Sequence, residues 1–125
     1  MARIARLFDD VDSSGTPVIS SRRKITDPAT KERILGFLHG GAVIRAANGK
    51  SIDMIDPTKG KVVPRIYKTD GEWIWTAATR YYLEKYGIAP EDDFLSHIES
   101  SGYFAADPGP DARQRAYSQL TNRPH

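Results

Sequence analysis

The sequence contains no cysteine among its 125 residues. This absence excludes disulfide bonds, thiolate metal sites, iron–sulfur clusters and a cysteine nucleophile. Long apolar runs are also missing, and none approaches the roughly 18 residues that a membrane-spanning helix needs. The first residues form no signal-peptide core, because Asp9, Asp10 and Asp12 interrupt them. The sequence therefore predicts a cytoplasmic protein with no membrane contact.

Charge of one sign is not in large excess either. The chain has 18 Lys and Arg residues and 16 Asp and Glu residues, which leaves a net charge of +2. A protein that coats DNA normally has a larger excess of basic residues, so the total argues against that class. The length suits a single domain over residues 1–125. Residues 1–24 fit either a short helix or a strand, and residues 107–125 are expected to form a peripheral tail with room for one short helix.

Capping residues predict three helices. Asp27 is a good N-cap, and Pro28 suits the first helical position, where its missing amide hydrogen costs nothing. Gly40-Gly41 then ends this first helix. The second and third helices are bounded in the same way, by Thr76, Gly87 and Pro90.

The middle of the chain indicates antiparallel strands separated by turns. The turn signals are Asn48-Gly49, residues 56–61 and Asp70-Gly71. Several short strands separated by such signals are typical of consecutive hairpins. The sequence thus predicts an α+β fold in which a four-stranded antiparallel β-meander packs against two or three α-helices.

The last predicted hairpin indicates which face of the sheet is buried. A two-residue turn at Asp70-Gly71 pairs Lys68 with Trp73 and Ile66 with Trp75. Directly opposed side chains share one face of a sheet. Both tryptophans are therefore expected on the face that the helices cover.

Candidates for catalysis are few. The histidines, His39, His97 and His125, have neither the i, i+4 spacing of a helical metal site nor a cysteine companion. His97 with an acidic residue serves acid–base chemistry only inside a pocket, which leaves a small hydrolase or transferase as one alternative. Asp53 and Asp56 fit solvated strand and turn residues better than a catalytic pair. We expect no catalytic residues, no metal and no cofactor.

Charges are unevenly distributed along the chain. Residues 77–100 include two basic and five acidic residues, whereas residues 42–75 include six basic and four acidic ones. The helical layer is therefore expected to be acidic, to suit a basic partner, and the sheet to be mildly basic. A surface tyrosine beside charged residues is typical of protein–protein hot spots. The expected partner-binding residues are Tyr81, Glu84, Lys85, Glu91, Asp92 and Asp93.

One part of the chain resembles a known group of proteins. It contains Thr69-Asp70-Gly71-Glu72-Trp73-Ile74-Trp75, followed by Tyr81-Tyr82-Leu83, Tyr86-Gly87 and Pro90. This pattern is similar to small actinobacterial-type proteins, some of which accompany polymorphic toxins as immunity proteins. These are mainly turn, core and cap positions, so the resemblance implies a shared fold more than a shared activity. It leads to the hypothesis of a non-enzymatic, antitoxin-like immunity protein that blocks one toxin or enzyme partner.

Nucleic-acid binding through the basic side of the sheet is the second hypothesis. An exposed Tyr67 would stack on a base. Affinity should fall steeply with salt, because phosphate contacts release counterions. The residues of this alternative are Arg22, Arg23, Lys24, Arg45, Lys59, Lys61, Arg65 and Lys68.

Overall fold

Turn and capping residues mark many of the boundaries between the strands and helices of this chain. A computed structural model describes residues 2–8, 12–18 and 22–121. Its elements are β1 (Arg3–Ile4), α1 (Pro28–His39), β2 (Ala42–Ile52), a 3-10 helix (Pro57–Lys59), β3 (Lys61–Thr69), β4 (Trp73–Thr76), α2 (Ala77–Tyr86), α3 (Asp92–Ser100) and α4 (Pro110–Thr121). The predicted α+β class is confirmed.

The ends of α1 and α2 lie where the capping residues predicted them. The Asp27 carboxylate accepts a hydrogen bond from the backbone N–H of Thr30 at 3.1 Å. The Thr76 hydroxyl accepts one from the N–H of Ala78 at 3.2 Å. Gly87 ends α2 with a φ of 71°, a left-handed conformation that glycine adopts without strain. These helix ends are determined locally.

The sheet is mixed, so the prediction of a purely antiparallel four-stranded meander is wrong. The strand order is β1-β4-β3-β2. The strands β2, β3 and β4 pair antiparallel, but β1 pairs parallel with β4, with Arg3 opposite Trp73 and Ile4 opposite Ile74. The fourth strand therefore comes from the N-terminal segment, where the pattern fitted a helix or a strand. A two-residue strand has too little alternation to be recognised along the chain.

The Asn48-Gly49 pair lies inside β2 and makes no hairpin turn. The strand continues through it to Ile52, and the register against β3 shifts between Ala46 and Lys50. Gly49 has a φ of 78°, which suits a bulge as well as a turn. The two strands predicted on either side of this pair are therefore one long strand.

The turn between β3 and β4 is two residues longer than predicted. Lys68 pairs with Trp75 and not with Trp73, so four residues, 70–73, lie between the paired residues Thr69 and Ile74. The Asp70 carboxylate stabilises this longer turn by accepting a hydrogen bond from the N–H of Trp73 at 2.9 Å. A shift of two residues leaves every side chain on its original face. Both tryptophans are therefore buried, as predicted, on the face that α1 and α3 cover.

Helices cover both faces of the sheet. On one face, Trp73 and Trp75 pack with α1 and α3, and the ring centroids of Phe37 and Phe94 lie 5.2 and 5.5 Å from that of Trp75. On the other face, Ile74 is fully buried in a cluster with α4. The segment expected to be a peripheral tail thus includes a helix that covers the sheet. Among the described residues, no helix combines the length and apolarity needed to cross a bilayer.

Candidate partner-binding site

A buried carboxylate organises the surface around Tyr81. Asp53 directly follows β2 and has no solvent exposure. Its Oδ1 accepts hydrogen bonds from the backbone N–H groups of Ile55 and Asp56 at 2.9 and 2.8 Å. Its Oδ2 accepts hydrogen bonds from the hydroxyls of Tyr81 and Tyr86, each at 2.7 Å. These four donors compensate the burial of the charge.

The same hydrogen bonds set the ionisation of the site. Burial is the largest influence on Asp53 and by itself raises its pKa, but the N–H of Asp56 and the two tyrosine hydroxyls outweigh it, so the pKa lies below the ordinary 3.8. The hydrogen bond to Asp53 is the main cause that raises the pKa of Tyr81. Burial, and then the hydrogen bond to Asp53, raises the pKa of Tyr86 to about 12. At neutral pH the site therefore holds one carboxylate anion and protonated tyrosines.

A third tyrosine of α2 completes the arrangement. Tyr82 is buried, and its hydroxyl accepts a hydrogen bond from the N–H of Met54 at 2.9 Å. Its ring is edge-on to Tyr81 at a centroid distance of 5.2 Å and stacked with Tyr86 at 6.0 Å. The Lys59 ammonium lies 4.7 Å from the centre of the Tyr86 ring. We call Asp53, Tyr81, Tyr82 and Tyr86 the tyrosine cluster.

A cleft of about 580 Å³ opens beside the tyrosine cluster. It lies between α2 and the first half of β3. Its lining residues, which define the tyrosine cleft, are Lys59, Val62, Pro64, Arg80, Tyr81, Glu84 and Lys85. Glu84 and Lys85 are exposed, and their Oε1 and Nζ atoms are 4.0 Å apart. Three cations and one anion line this surface, so it is basic although the helical layer was expected to be acidic.

The expected partner-binding residues fall into two groups. Tyr81, Glu84 and Lys85 come together at the tyrosine cleft. The three acidic residues that begin α3 do not line this cleft. The structure therefore brings half of the predicted set together and separates the other half.

Two of the acidic residues at the start of α3 bind the N-terminal segment. Glu91 is buried, and its carboxylate accepts hydrogen bonds from the backbone N–H and the Nε of Arg6, each at 3.0 Å. Asp93 pairs with the guanidinium of Arg3 at 2.9 Å. Asp92 is exposed. The charge of Glu91 therefore acts within the fold, whereas Asp92 and Asp93 are exposed and Asp93 is paired with an arginine.

The eight basic residues of the nucleic-acid hypothesis are spread over several parts of the molecule. Arg22 is buried and donates hydrogen bonds to the backbone oxygens of Ala89 and Arg6, each at 3.1 Å. Lys24 and Lys68 donate to backbone oxygens at the ends of α2 and α1. These three residues serve the fold at least in part. Of the others, Lys59 belongs to the tyrosine cleft, whereas Arg23 and Lys61 are exposed.

A second cleft, of about 380 Å³, contains two of these basic residues. Arg45 of β2 and Arg65 of β3 line it together with Tyr67. Arg45 is paired with Tyr67 across the ladder, and Arg65 precedes Tyr67 by two residues, so the three side chains share a face of the sheet. Within the described ranges, neither arginine has a hydrogen-bond or ion-pair partner. We call this the arginine cleft.

His97 lies beneath the β3–β4 turn and pairs with Asp70. Its Nε2 is 2.6 Å from the Oδ2 of Asp70, and its ring centroid lies 5.9 and 6.2 Å from those of Phe37 and Trp73. It lines neither the tyrosine cleft nor the arginine cleft, so neither of these two clefts is a pocket for acid–base chemistry at His97. His125 lies outside the residues that the structure describes.

Sequence reasoning missed the part played by Asp53. The pattern around it predicts a solvated side chain, but the carboxylate is buried. Its partners Tyr81 and Tyr86 lie 28 and 33 residues further along the chain, so no local spacing indicates the contact. The available signal is indirect, because several tyrosines on one short helix need polar partners for their hydroxyls when they are partly buried.

Comparison of this chain with protein-family models, curated proteins and solved structures finds no match. The tyrosine cleft has one aromatic ring, that of Tyr81, whose hydroxyl is held by Asp53, and three cations, which suits binding. Covalent catalysis needs a nucleophile held against a general base, and the residues that line this cleft do not supply that pair.

Proposed function

We propose that this chain is a non-enzymatic inhibitor of the immunity-protein type, which binds one protein partner and blocks it. The observation that carries the proposal is the tyrosine cleft, where Tyr81 lies among Lys59, Arg80 and Lys85. Tyrosine and arginine supply much of the binding energy at the centres of protein interfaces. A concave surface of this composition suits a protruding segment of another protein.

Rigidity of the tyrosine cluster supports the same proposal. The hydroxyls of Tyr81 and Tyr86 are held by the buried Asp53, and Tyr82 packs against both rings. Side chains that are already ordered in the free protein lose little conformational entropy on binding. The partner therefore meets a Tyr81 side chain that is already held in place.

Charge indicates what the partner presents to the cleft. Glu84 is the single anion among the lining residues. Burial lowers the pKa of Lys68, and the charge of Arg80 lowers it further, because the two cations repel each other. A partner carboxylate relieves this repulsion. We therefore propose a partner with an acidic contact segment, in place of the basic partner inferred from the charge count along the chain.

The test uses charge reversal at two cations that line the cleft. The wild-type chain is used to capture its partner from source cells, and the partner is then purified and its activity and affinity are measured with each variant. We expect stoichiometric capture, inhibition of the partner, and about 100-fold weaker binding by the double variant Arg80→Glu, Lys85→Glu. The matched control Arg115→Glu, on α4, should bind as the wild type does.

Two results would contradict the proposal. One is the absence of any stoichiometric protein partner. The other is a captured partner that binds the double variant as tightly as the wild type. That result would show that the partner binds outside the tyrosine cleft. Melting temperatures of the variants are compared first, so that a loss of binding is not a loss of folding.

Nucleic-acid binding is a second candidate, and the arginine cleft is the observation that favours it. Two arginines without internal partners in the described ranges lie on the same face of the sheet as Tyr67. Arginine and an aromatic ring in one groove are the composition that binds single-stranded nucleic acid. The other basic residues predicted to bind nucleic acid do not line the arginine cleft. The proposed nucleic-acid site therefore consists of Arg45, Arg65 and Tyr67.

Fluorescence anisotropy with a single-stranded oligonucleotide tests this candidate. Binding at about 50 mM salt should weaken strongly at about 200 mM salt. The double variant Arg45→Gln, Arg65→Gln should bind more weakly, and Arg115→Gln should bind as the wild type does. If neither RNA nor DNA changes the anisotropy at low salt, the chain does not bind nucleic acid and this second proposal is wrong.

A further inference from the structure

Three side chains of metal-ligating type converge at the turn between β3 and β4. Asp70 and Glu72 belong to this turn, and His97 projects towards it from α3. One ligand atom from each of the three lies within 4.8 Å of the other two. The three residues come from two separate elements that the fold brings together.

The backbone fixes the orientation of Asp70. Its Oδ1 accepts hydrogen bonds from the N–H groups of Glu72 and Trp73 at 3.0 and 2.9 Å. This arrangement leaves Oδ2 directed at the Nε2 of His97, 2.6 Å away. The Asp70 side chain is 7% exposed and that of His97 is 16% exposed, so both are held by their surroundings. Such support around ligand atoms is what makes a metal site specific.

The His97 ring is positioned by aromatic neighbours. Trp73 lies beside it with an interplanar angle of 32°, and Phe37 is edge-on to it at 86°. Glu72 is exposed, so a cation reaches this ligand directly from solvent.

Glu72 is the one ligand of the three whose side chain is left without a partner in the described part of the chain. A hydrogen bond between Nε2 and Oδ2 joins His97 to Asp70. The Glu72 carboxylate, although close to both, has no hydrogen-bond or ion-pair partner among the residues that the structure describes. A divalent cation held between the three side chains coordinates all three ligand atoms at once.

We propose that Asp70, Glu72 and His97 bind a divalent transition-metal ion, with Zn²⁺ as the metal that best suits one imidazole and two carboxylates. Bonds of about 2.0–2.2 Å place tetrahedral ligand atoms roughly 3.4 Å apart. The His97–Asp70 contact opens slightly on binding, and the exposed Glu72 moves inward. Three protein ligands leave one position for water.

Calorimetric titration of the full chain, free of any affinity tag, with Zn²⁺ tests the proposal. We expect one site per chain, with at least tenfold weaker binding in Glu72→Gln and a larger loss in Asp70→Asn and His97→Gln. The matched control is His39→Gln, which removes an exposed histidine at the end of α1 and should change nothing. Co²⁺ should also quench the fluorescence of Trp73, because this ring lies 6.2 Å from His97.

Glu72→Gln decides the outcome even if the other variants fold poorly, because Glu72 is exposed and its side chain makes no hydrogen bond or ion pair in the described ranges. Wild-type affinity in this variant would overturn the three-ligand site. The absence of Zn²⁺ binding to the wild type would overturn the proposal entirely, as would binding that is lost in His39→Gln and retained in His97→Gln.

Discussion

The α2 surface and the start of α3 are close in sequence and use their charged residues in opposite ways. At the tyrosine cleft, Arg80, Glu84 and Lys85 project from α2 around a rigid tyrosine cluster. At the start of α3, the carboxylates of Glu91 and Asp93 bind arginines of the N-terminal segment. A charge count over residues 77–100 adds both regions together and predicts one acidic layer. A charged side chain that points to solvent can bind a partner, whereas one that points to another segment stabilises the fold. Its place in the sequence does not show which of the two it does.

The buried carboxylate of the tyrosine cluster should give the largest effect. Asp53→Ala removes the acceptor for four hydrogen bonds and should lower the free energy of unfolding by about 3–5 kcal/mol. Because the pKa of Asp53 is lowered by folding, its contribution is present above the ordinary value of 3.8 and is lost as pH falls below it. Urea denaturation at several pH values measures both effects. If the variant and the wild type lose stability equally between pH 5 and pH 3, the carboxylate does not act as described.

The carboxylate at the start of α3 should come next. Glu91→Ala removes the buried partner of Arg6 and should cost about 2–3 kcal/mol. It should also loosen β1, whose pairing includes the bond from the N–H of Ala5 to the oxygen of Ile74. Hydrogen exchange of the Ala5 amide reports that loosening. Unchanged exchange at Ala5 would mean that Glu91 does not hold the N-terminal segment.

A tyrosine hydroxyl of the cluster should have a smaller effect. Tyr86→Phe should cost about 1 kcal/mol at neutral pH. The pKa of Tyr86 is raised by folding from 10.0 to about 12, so its contribution is present below pH 10 and is lost as pH rises towards 12. The variant should therefore lose less stability than the wild type in this range, as measured by thermal melts. Tyr117→Phe, on the exposed side of α4, is the control that should follow the wild type.

The ion pair between Arg3 and Asp93 should have the smallest effect. Its side chains are 60% and 65% exposed, so Asp93→Asn should change stability by less than about 0.5 kcal/mol. Added salt should remove even that difference. Urea denaturation measures this change in the free energy of unfolding. A loss as large as that of Glu91→Ala would show that the exposed Arg3–Asp93 pair stabilises the fold as much as the buried carboxylate of Glu91 does.

The parts of the fold that were predicted correctly are those with local causes. Asp27, Thr76 and Gly87 mark helix ends through hydrogen bonds and backbone conformations within a few residues. The burial of Trp73 and Trp75 was predicted correctly although the predicted register between β3 and β4 was wrong. A shift of two residues leaves each side chain on the same face of the sheet. The errors have a common cause as well. Gly49 suits a bulge and a turn equally, and only pairing with β3 decides between them.

The α+β class, the positions of α1 and α2, the burial of both tryptophans and the lack of cysteine chemistry follow from the sequence pattern. The parallel pairing of β1, the covering of the second sheet face by α4 and the contact of Asp53 with Tyr81 and Tyr86 are visible only in the folded chain. The physical reason is the range of the interactions. Caps and turns are formed by neighbours in the chain, whereas a buried carboxylate is stabilised by donors that only the folded chain brings to it.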